Sequence, residues 1–132
     1  MQQSMADQKT ILIAEDEADL SNALRVAFEA GGFDVVIAGT GKAMVDMVEA
    51  AKPDFLLIDI MMPQQDGIEA LTEIRSLPEF AQTPAIILTA LAHMQEIVDL
   101  INERNLKAEY LIKTDWTLDA LVQKVSEVLQ TS

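Results

Sequence analysis

The stretch that decides the fold is Asp54-Phe55-Leu56-Leu57-Ile58-Asp59-Ile60-Met61-Met62-Pro63-Gln64-Gln65-Asp66-Gly67. The apolar run at residues 55–58 is too short for a helix and is bounded by turn residues, which favours a strand buried on both faces of a parallel sheet. Asp59 follows at the carboxyl end of that strand, where open α/β sheets bind their ligands. Asp59 is therefore a candidate for chemistry, although an aspartate that merely begins a solvated turn is the simpler alternative.

Length, charge and composition limit the possible functions. The chain has 132 residues, a formal net charge of −13 and no cysteine. This length predicts one domain, and the charge opposes binding to nucleic acid or insertion at an anionic membrane. The lack of cysteine excludes disulfides, thiolate metal sites and cysteine nucleophiles. Without a signal-like segment or an apolar run of membrane length, we expect a cytoplasmic protein with a flexible tail at residues 1–8 and one domain at residues 9–132.

Other apolar patterns predict alternating strands and helices. Four further short runs favour strands, at residues 11–14, 33–37, 84–88 and 110–112, of which the second has a polar side and is placed at an edge. Apolar residues at helical spacing predict five helices, marked by Leu20, Leu24 and Phe28; Met44, Met47, Val48 and Ala51; Ile68, Leu71 and Ile74; Leu91, Met94, Ile97, Val98 and Ile101; and Leu118, Leu121, Val122, Val125 and Leu129. Five strands that alternate with five helices predict a doubly wound α/β fold with a parallel sheet.

A glycine-rich turn, Gly39-Thr40-Gly41-Lys42, resembles the end of a phosphate-binding P-loop. It departs from that motif because Val36 stands at the position of the earlier glycine and Ala43 at that of the metal-binding hydroxyl. We interpret it as an ordinary turn between a strand and a helix.

Residues capable of chemistry follow four of the predicted strands. Glu15 and Asp16 come after the first strand, Asp59 after the third, Thr89 after the fourth and Lys113 after the fifth. The carboxyl ends of parallel strands share one edge, so we expect these five residues in a single cavity. Crowded carboxylates repel one another unless a divalent cation neutralises them, and oxygen ligands favour Mg²⁺. The alternative for the acids after the first strand is a helix amino terminus, which favours negative side chains.

Together the motifs resemble the receiver domain of bacterial two-component response regulators, over about residues 9–129. The resemblance implies the flavodoxin-like strand order 2-1-3-4-5. It implies these roles: Asp59 as phosphoacceptor, Glu15 and Asp16 as the acidic metal pair, Met61 as a backbone carbonyl ligand, Thr89 as switch hydroxyl, Lys113 as phosphate-binding lysine and Tyr110 as aromatic switch residue.

Two positions depart from the family pattern. Glu15 stands where aspartate is more usual, and Thr114 replaces the proline that usually follows the lysine. The Lys113-Thr114 peptide is therefore either trans, with a shifted loop, or strained, because a cis bond is costly without proline. Thr114 and Asp115 could cap the last helix instead. Trp116 follows them, either as an anchor for a partner or as ordinary packing at the helix end.

The resulting hypothesis is a phosphorylation switch. A sensor histidine kinase or a histidine phosphotransfer protein donates a phosphoryl group to Asp59 with Mg²⁺, and the signal passes by protein contact or by relay. The downstream partner would meet the face made by the fourth helix, fifth strand and last helix, with the chain a monomer or a phosphorylation-dependent dimer. The domain would catalyse only its own phosphotransfer and a slow autodephosphorylation, because Met61 and Leu91 are apolar where a polar group could orient water.

Two other functions fit the sequence less well than the switch. A haloacid-dehalogenase-like aspartyl phosphatase needs a second aspartate at the position of Met61. A flavin- or nucleotide-binding module would need a complete phosphate loop. His93 is the single histidine, and we interpret it as a surface or cap residue rather than as a site of phosphorylation or metal binding. The alternative for Tyr110 is a half-buried aromatic residue of the strand. The stripe of Met94, Ile97 and Ile101 is interpreted as part of the core rather than as an interface.

Overall fold

The computed structural model describes residues 8–60 and 65–131, apart from the side chains of Gln65 and Asp66. Residues 1–7 of the predicted tail and the predicted metal ligand Met61 lie outside the described residues. The prediction of a flexible tail and the role of Met61 therefore remain predictions.

Five parallel strands form one sheet in the order β2-β1-β3-β4-β5, as predicted. Their bounds are β1 Thr10–Ala14, β2 Asp34–Ala38, β3 Phe55–Asp59, β4 Ala85–Thr89 and β5 Glu109–Ile112. The predicted edge position of β2 is confirmed. Two predicted strand starts were one residue early, since Phe33 and Pro84 precede their strands, and a proline there leaves the ladder of hydrogen bonds intact.

Five α-helices connect and flank the strands in the described part of the chain. They are α1 Ala18–Ala30, α2 Gly41–Ala51, α3 Gln65–Arg75, α4 Met94–Glu103 and α5 Leu118–Gln130. Leu91 was wrongly assigned to the apolar face of the fourth helix. It lies in a separate single turn of 3-10 helix, Leu91–His93, and its side chain is 68% exposed. Ile97 and Ile101 are buried, as predicted.

The core consists of two layers because successive side chains of a strand point to opposite faces of the sheet. On one face Leu12, Leu56, Ile58 and Ile87 pack with buried residues of α2, α3 and α4. On the other face the core joins the sheet to α1 and α5, through Ile11, Ile13, Phe55, Leu57, Ile86, Leu88, Leu24, Phe28, Leu121 and Val125. Residues 55–58 of β3 are buried on both faces, which explains their uninterrupted apolar character.

Two helices begin with a threonine cap at the same edge of the sheet. The Thr40 hydroxyl accepts a hydrogen bond from the Ala43 backbone N–H at 3.0 Å, so the glycine-rich turn is the ordinary strand-to-helix turn predicted. The Thr117 hydroxyl caps α5 by accepting from the Ala120 N–H at 3.1 Å. The predicted cap at Thr114 and Asp115 is therefore wrong. Those residues complete a separate 3-10 turn, and the helix begins only after the extended Trp116.

Candidate functional site

The two central strands, β1 and β3, deliver acidic residues to one cavity at the carboxyl edge of the sheet. The cavity has a volume of about 100 Å³ and is lined by Ala14, Glu15, Asp16, Gly39, Thr40, Gly41, Ile58, Asp59, Ile60 and Gly67. Hydrogen bonds continue the ladder past the strand ends, from Glu15 N to Ala38 O at 3.0 Å and from Ile60 N to Leu88 O at 2.8 Å. The backbone on both sides of the acids is thereby fixed.

Asp59 has a fully buried side chain in this cavity, with 0% of it exposed. The Nζ atom of Lys113 lies 2.9 Å from its Oδ2 atom and forms an ion pair. Within the described residues its Oδ1 atom accepts no hydrogen bond. A buried carboxylate oxygen without a donor is costly, so this atom is poised to bind a proton, a metal ion or an electrophile.

Glu15 is also buried, and its two oxygens differ in their surroundings. Oε2 accepts a hydrogen bond from the Glu17 backbone N–H at 2.9 Å, whereas Oε1 has no partner among the described residues. Burial, and next the interaction with the Asp59 carboxyl group, raise the pKa of Glu15 to about 8. A divalent cation can take the place of the Glu15 proton and compensate the charge of the buried carboxylates.

The donor set suits a hard divalent cation. Asp16 is exposed and lines the same cavity as Glu15 and Asp59. In residues 8–60 and 65–131 no three acidic, histidine or cysteine side chains converge as a complete ligand group. Mg²⁺ does not require such a cage, because it keeps several waters and is usually bound by one or two carboxylates. The unsatisfied oxygens of Glu15 and Asp59 fit that mode of binding.

A second cavity lies on the other side of Asp59. Its volume is about 120 Å³, and Asp59 and Lys113 form its polar end. The remaining lining residues are mostly apolar and come from α1, β4 and the start of α5: Leu20, Leu24, Leu88, Trp116, Thr117, Leu118 and Leu121. Asp59 is thus shared by an acidic cavity and an apolar one. Glu15, Asp16 and Asp59 line the first cavity and Lys113 the second, and the gathering of all five predicted residues in one site remains a prediction.

The two predicted switch residues lie outside both cavities. Thr89 ends β4 and is fully buried, and its hydroxyl donates to the Ala90 carbonyl at 3.3 Å. Tyr110 lies in β5 opposite Ile87, and its side chain is 38% exposed. Thr89 is thus near the site through its strand, but its hydroxyl already has an acceptor. His93 precedes α4, is partly buried and makes no side-chain cap bond.

The cavity also includes residues that sequence reasoning had treated as turn elements. The turn at residues 39–41 forms one wall, because β2 ends beside β1 at the same edge. Gly67 forms another wall, and a Cβ atom there would lie 2.7 Å from Ile58 Cγ2. The signal for these residues was present in the topology, since turns that follow neighbouring parallel strands share one edge of the sheet.

Comparison with known proteins agrees with this geometry. Residues 11–126 match the family model described as "Response regulator receiver domain". The chain belongs to the response regulator receiver domain family. Receiver domains are signalling domains of two-component response regulators, which confirms the resemblance inferred from the motifs.

Among curated proteins, this receiver domain is 37% identical to the regulatory protein AtoC of Escherichia coli over 91% of its length, which is 25% of AtoC. It is 35% identical to the transcriptional regulatory protein PdtaR of Mycobacterium tuberculosis, over 80% of this chain and 49% of PdtaR. The chain thus spans a quarter to about half of these relatives.

Solved receiver domains have the same fold. The receiver domain of Francisella response regulator 1452 superimposes with a TM-score of 0.77 and 27% identity, over 94% of this chain and 98% of that one. The receiver domain of the Pseudomonas aeruginosa histidine kinase PA1611, described with magnesium in its active-site cleft, gives a TM-score of 0.74 at 24% identity, over 94% and 96% of the two chains. None of the described helices of the present receiver domain has the length and apolar character needed to cross a bilayer.

Proposed function

We propose that this receiver domain is a phosphorylation-dependent switch that accepts a phosphoryl group on Asp59. The observation that carries the proposal is the position of Asp59. Its carboxylate is fully buried at the end of β3, with an acidic cavity on one side and the Lys113 ammonium group 2.9 Å away on the other. A nucleophile, a cation site and a fixed positive charge are the groups that phosphoryl transfer requires.

The proposed step forms one bond and breaks one bond. An oxygen of the Asp59 carboxylate attacks the phosphorus of a phosphohistidine, and the phosphorus–nitrogen bond breaks. The imidazole leaves with the bonding electron pair and the product on the domain is an acyl phosphate. Lys113 keeps its positive charge close to the transferring group, where negative charge accumulates on the phosphoryl oxygens.

Mg²⁺ is the proposed cofactor, held by Glu15, Asp16, Asp59 and the backbone carbonyl of Met61. When bound, it would neutralise the carboxylates and the phosphoryl oxygens. The support from this chain is the all-oxygen donor set and the unsatisfied oxygens of Glu15 and Asp59. Glu15 must lose its proton for this role, and the Glu17 N–H then orients the charged carboxylate through Oε2.

The proposed conformational change involves Thr89 and Tyr110. On phosphorylation the Thr89 hydroxyl exchanges the Ala90 carbonyl for a phosphoryl oxygen, and Tyr110 packs inward. The 3.3 Å bond to Ala90 is long for a hydroxyl donor, so little is lost when it breaks. The 38% exposure of Tyr110 leaves apolar surface that inward packing would bury. The change would alter the face formed by α4, β5 and α5.

The proposed partners follow from the chemistry. The donor is a sensor histidine kinase or a histidine phosphotransfer protein. The proposed location is the cytoplasm, where such donors are phosphorylated at the expense of ATP. The output is contact with a downstream protein at the face of α4, β5 and α5, or onward transfer in a relay. The domain would act as a monomer or as a dimer that forms on phosphorylation, with residues 1–8 as a flexible tail.

The direct experiment is incubation with acetyl phosphate and Mg²⁺, followed by intact mass spectrometry. The wild type should gain one phosphoryl group, and Asp59→Asn should gain none. Asp34→Asn, which alters an exposed aspartate at the start of β2, is the matched control and should behave as wild type. No gain on the wild type, or an equal gain on Asp59→Asn, would refute the proposal. Steady hydrolysis of small phosphate esters would instead favour the phosphatase alternative.

A further inference from the structure

The segment after β5 places Lys113 against Asp59, where the two side chains form an ion pair. The last paired residue of β5 is Ile112, opposite Thr89, so Lys113 lies just beyond the ladder of strand pairing. The 3-10 turn Lys113–Asp115 follows, and Trp116 N donates to Lys113 O at 3.5 Å, near the limit for a hydrogen bond.

The middle of this turn departs from the family pattern. Thr114 stands where the family pattern has a proline, so the rigid ring that could fix the backbone is missing. The side chains of Thr114 and Asp115 are both exposed. The first side chain after Lys113 that enters the interior is that of Trp116.

Trp116 connects the turn to the rest of the fold. Its backbone is extended, and its side chain is partly buried in the apolar cavity that Asp59 and Lys113 also line. That cavity joins Trp116 to Leu20 and Leu24 of α1 and to Leu88 of β4. Thr117 then caps α5, which fixes the chain on the far side of the tryptophan.

We propose that Trp116 is the positioning residue that aims Lys113 at Asp59. The inference rests on the proposed function and deepens it. The indole ring anchors the turn in the apolar cavity in place of a proline. It also adds apolar surface to the cavity that the ion pair lines. In this role Trp116 acts through Lys113.

A double-mutant cycle tests this role. The variants are Trp116→Ala, Lys113→Ala and both together, with Trp116→Phe as the conservative variant. The readout is the rate of phosphorylation by acetyl phosphate at saturating Mg²⁺. Trp116→Ala should lower the rate roughly tenfold, since small misplacements of a catalytic group have effects of this size or larger. In the Lys113→Ala background it should change the rate less than about twofold, and Trp116→Phe should retain most of the wild-type rate.

A purely structural role gives a different result. Trp116→Ala would then lower the rate by the same factor with or without Lys113, and this outcome would overturn the inference. Thermal unfolding of each variant identifies any that do not fold.

A second measurement keeps this inference separate from the proposed function. In unphosphorylated protein, nuclear Overhauser contacts between the Lys113 Hε and Asp59 Hβ protons report the position of the lysine directly. They should be present in the wild type and in Trp116→Phe and absent in Trp116→Ala. If these contacts follow this pattern but Asp59 is never phosphorylated, the proposed function fails and the positioning role stands. If the contacts persist in Trp116→Ala, the positioning role fails.

Discussion

Lys113 and Asp59 form a buried ion pair in which the Lys113 Nζ and Asp59 Oδ2 atoms are 2.9 Å apart. The Asp59 side chain is 0% exposed, whereas that of Lys113 is 26% exposed. The lysine therefore connects a buried carboxylate to the surface. Its charge is also what makes an ionised carboxylate tolerable at this depth in the sheet.

Removing the lysine charge should destabilise the protein. Lys113→Met keeps most of the side-chain volume and leaves the Asp59 carboxylate unpaired. In EDTA at pH 7 we expect the free energy of unfolding in urea to fall by about 2–3 kcal/mol, somewhat below the cost for a fully buried pair because Lys113 is partly exposed. Adding Asp59→Asn should recover most of this loss.

Lys124→Met is a matched control for that measurement. The Lys124 Nζ atom lies 2.8 Å from Glu109 Oε2, and Lys124 is 27% exposed, but its partner is 47% exposed. We expect a loss below about 1 kcal/mol, as for surface pairs. Equal losses for the two lysines would show that burial of Asp59 does not control the energetics.

Mg²⁺ affinity should depend on pH through Glu15. Its pKa is raised from 4.5 to about 8 in the folded protein, so the folded state binds more protons than the unfolded state between these values. This group therefore makes the metal-free protein less stable as the pH rises through that window. Mg²⁺ must displace the proton, so its affinity should rise by up to about tenfold per pH unit and become constant above about pH 8.

Glu15→Gln removes the titrating group and should make metal-free protein more stable at pH 8, by more than about 1 kcal/mol. It should also weaken Mg²⁺ binding and flatten its pH dependence. Glu17→Gln changes a nearby exposed acid and is the control, with the wild-type pH profile expected. Isothermal titration from pH 6 to 9 makes the comparison, and a flat wild-type profile would contradict the raised pKa.

Much of the architecture could be predicted because it follows from periodic patterns. Residues 55–58 are apolar at every position since both faces of β3 are covered, and Asp59 ends the strand. The parallel topology then explains why acids from β1 and β3 share a cavity. These are consequences of burial and strand direction, which a sequence expresses clearly.

Details that depend on a choice between similar local bonds could not be predicted. Thr114 and Thr117 are both capable caps, and α5 begins after the second. The Thr89 hydroxyl can donate either to a backbone carbonyl or, in the proposed switch, to a phosphoryl oxygen. The division of the site into two cavities depends on side-chain volumes, which strand and helix patterns do not specify.

A methyl group at Gly67 should impair the site as well as the fold. The Cβ atom of Gly67→Ala would approach Ile58 Cγ2 to 2.7 Å, and Ile58 is the residue before the proposed phosphoacceptor Asp59. Overpacking costs about 1–3 kcal/mol, partly offset by about 1 kcal/mol of helix propensity. Because Ile58 immediately precedes Asp59, we expect the rate of phosphorylation to fall at least threefold, or roughly 0.7 kcal/mol in activation free energy.

Gly31→Ala separates the effect on the site from the loss of stability. Its Cβ atom would also meet a side chain at 2.7 Å, Val122 Cγ1, but between α1 and α5. This variant should lose stability and retain the wild-type rate of phosphorylation. If the two variants slow the reaction equally, the contact with Ile58 has no specific role.

Arg75 should be needed for stability but not for chemistry. Its guanidinium group donates to the carbonyls of Leu106 at 2.6 Å, Phe80 at 2.7 Å and Lys107 at 3.2 Å, which ties the end of α3 to two loops. Arg75→Met leaves these acceptors without their donor and should cost about 2–4 kcal/mol in urea unfolding. Arg75→Lys should recover little, because an ammonium group lacks the planar fork. A change in Mg²⁺ affinity would contradict this assignment.

The acyl phosphate should be long-lived because apolar residues follow two of the site strands. Hydrolysis needs a water molecule aligned with phosphorus, and neither Met61 nor Leu91 offers a hydrogen bond to hold one. Leu91 lies in the turn after β4 with 68% of its side chain exposed, so a polar residue is sterically acceptable there. Met61→Asn and Leu91→Asn should each speed loss of phosphate, by roughly tenfold where the new amide aligns water.

Intact mass after removal of acetyl phosphate follows the decay, and Val26→Asn, on the exposed side of α1, is the control. Unchanged decay in Met61→Asn would show that water access does not limit the lifetime.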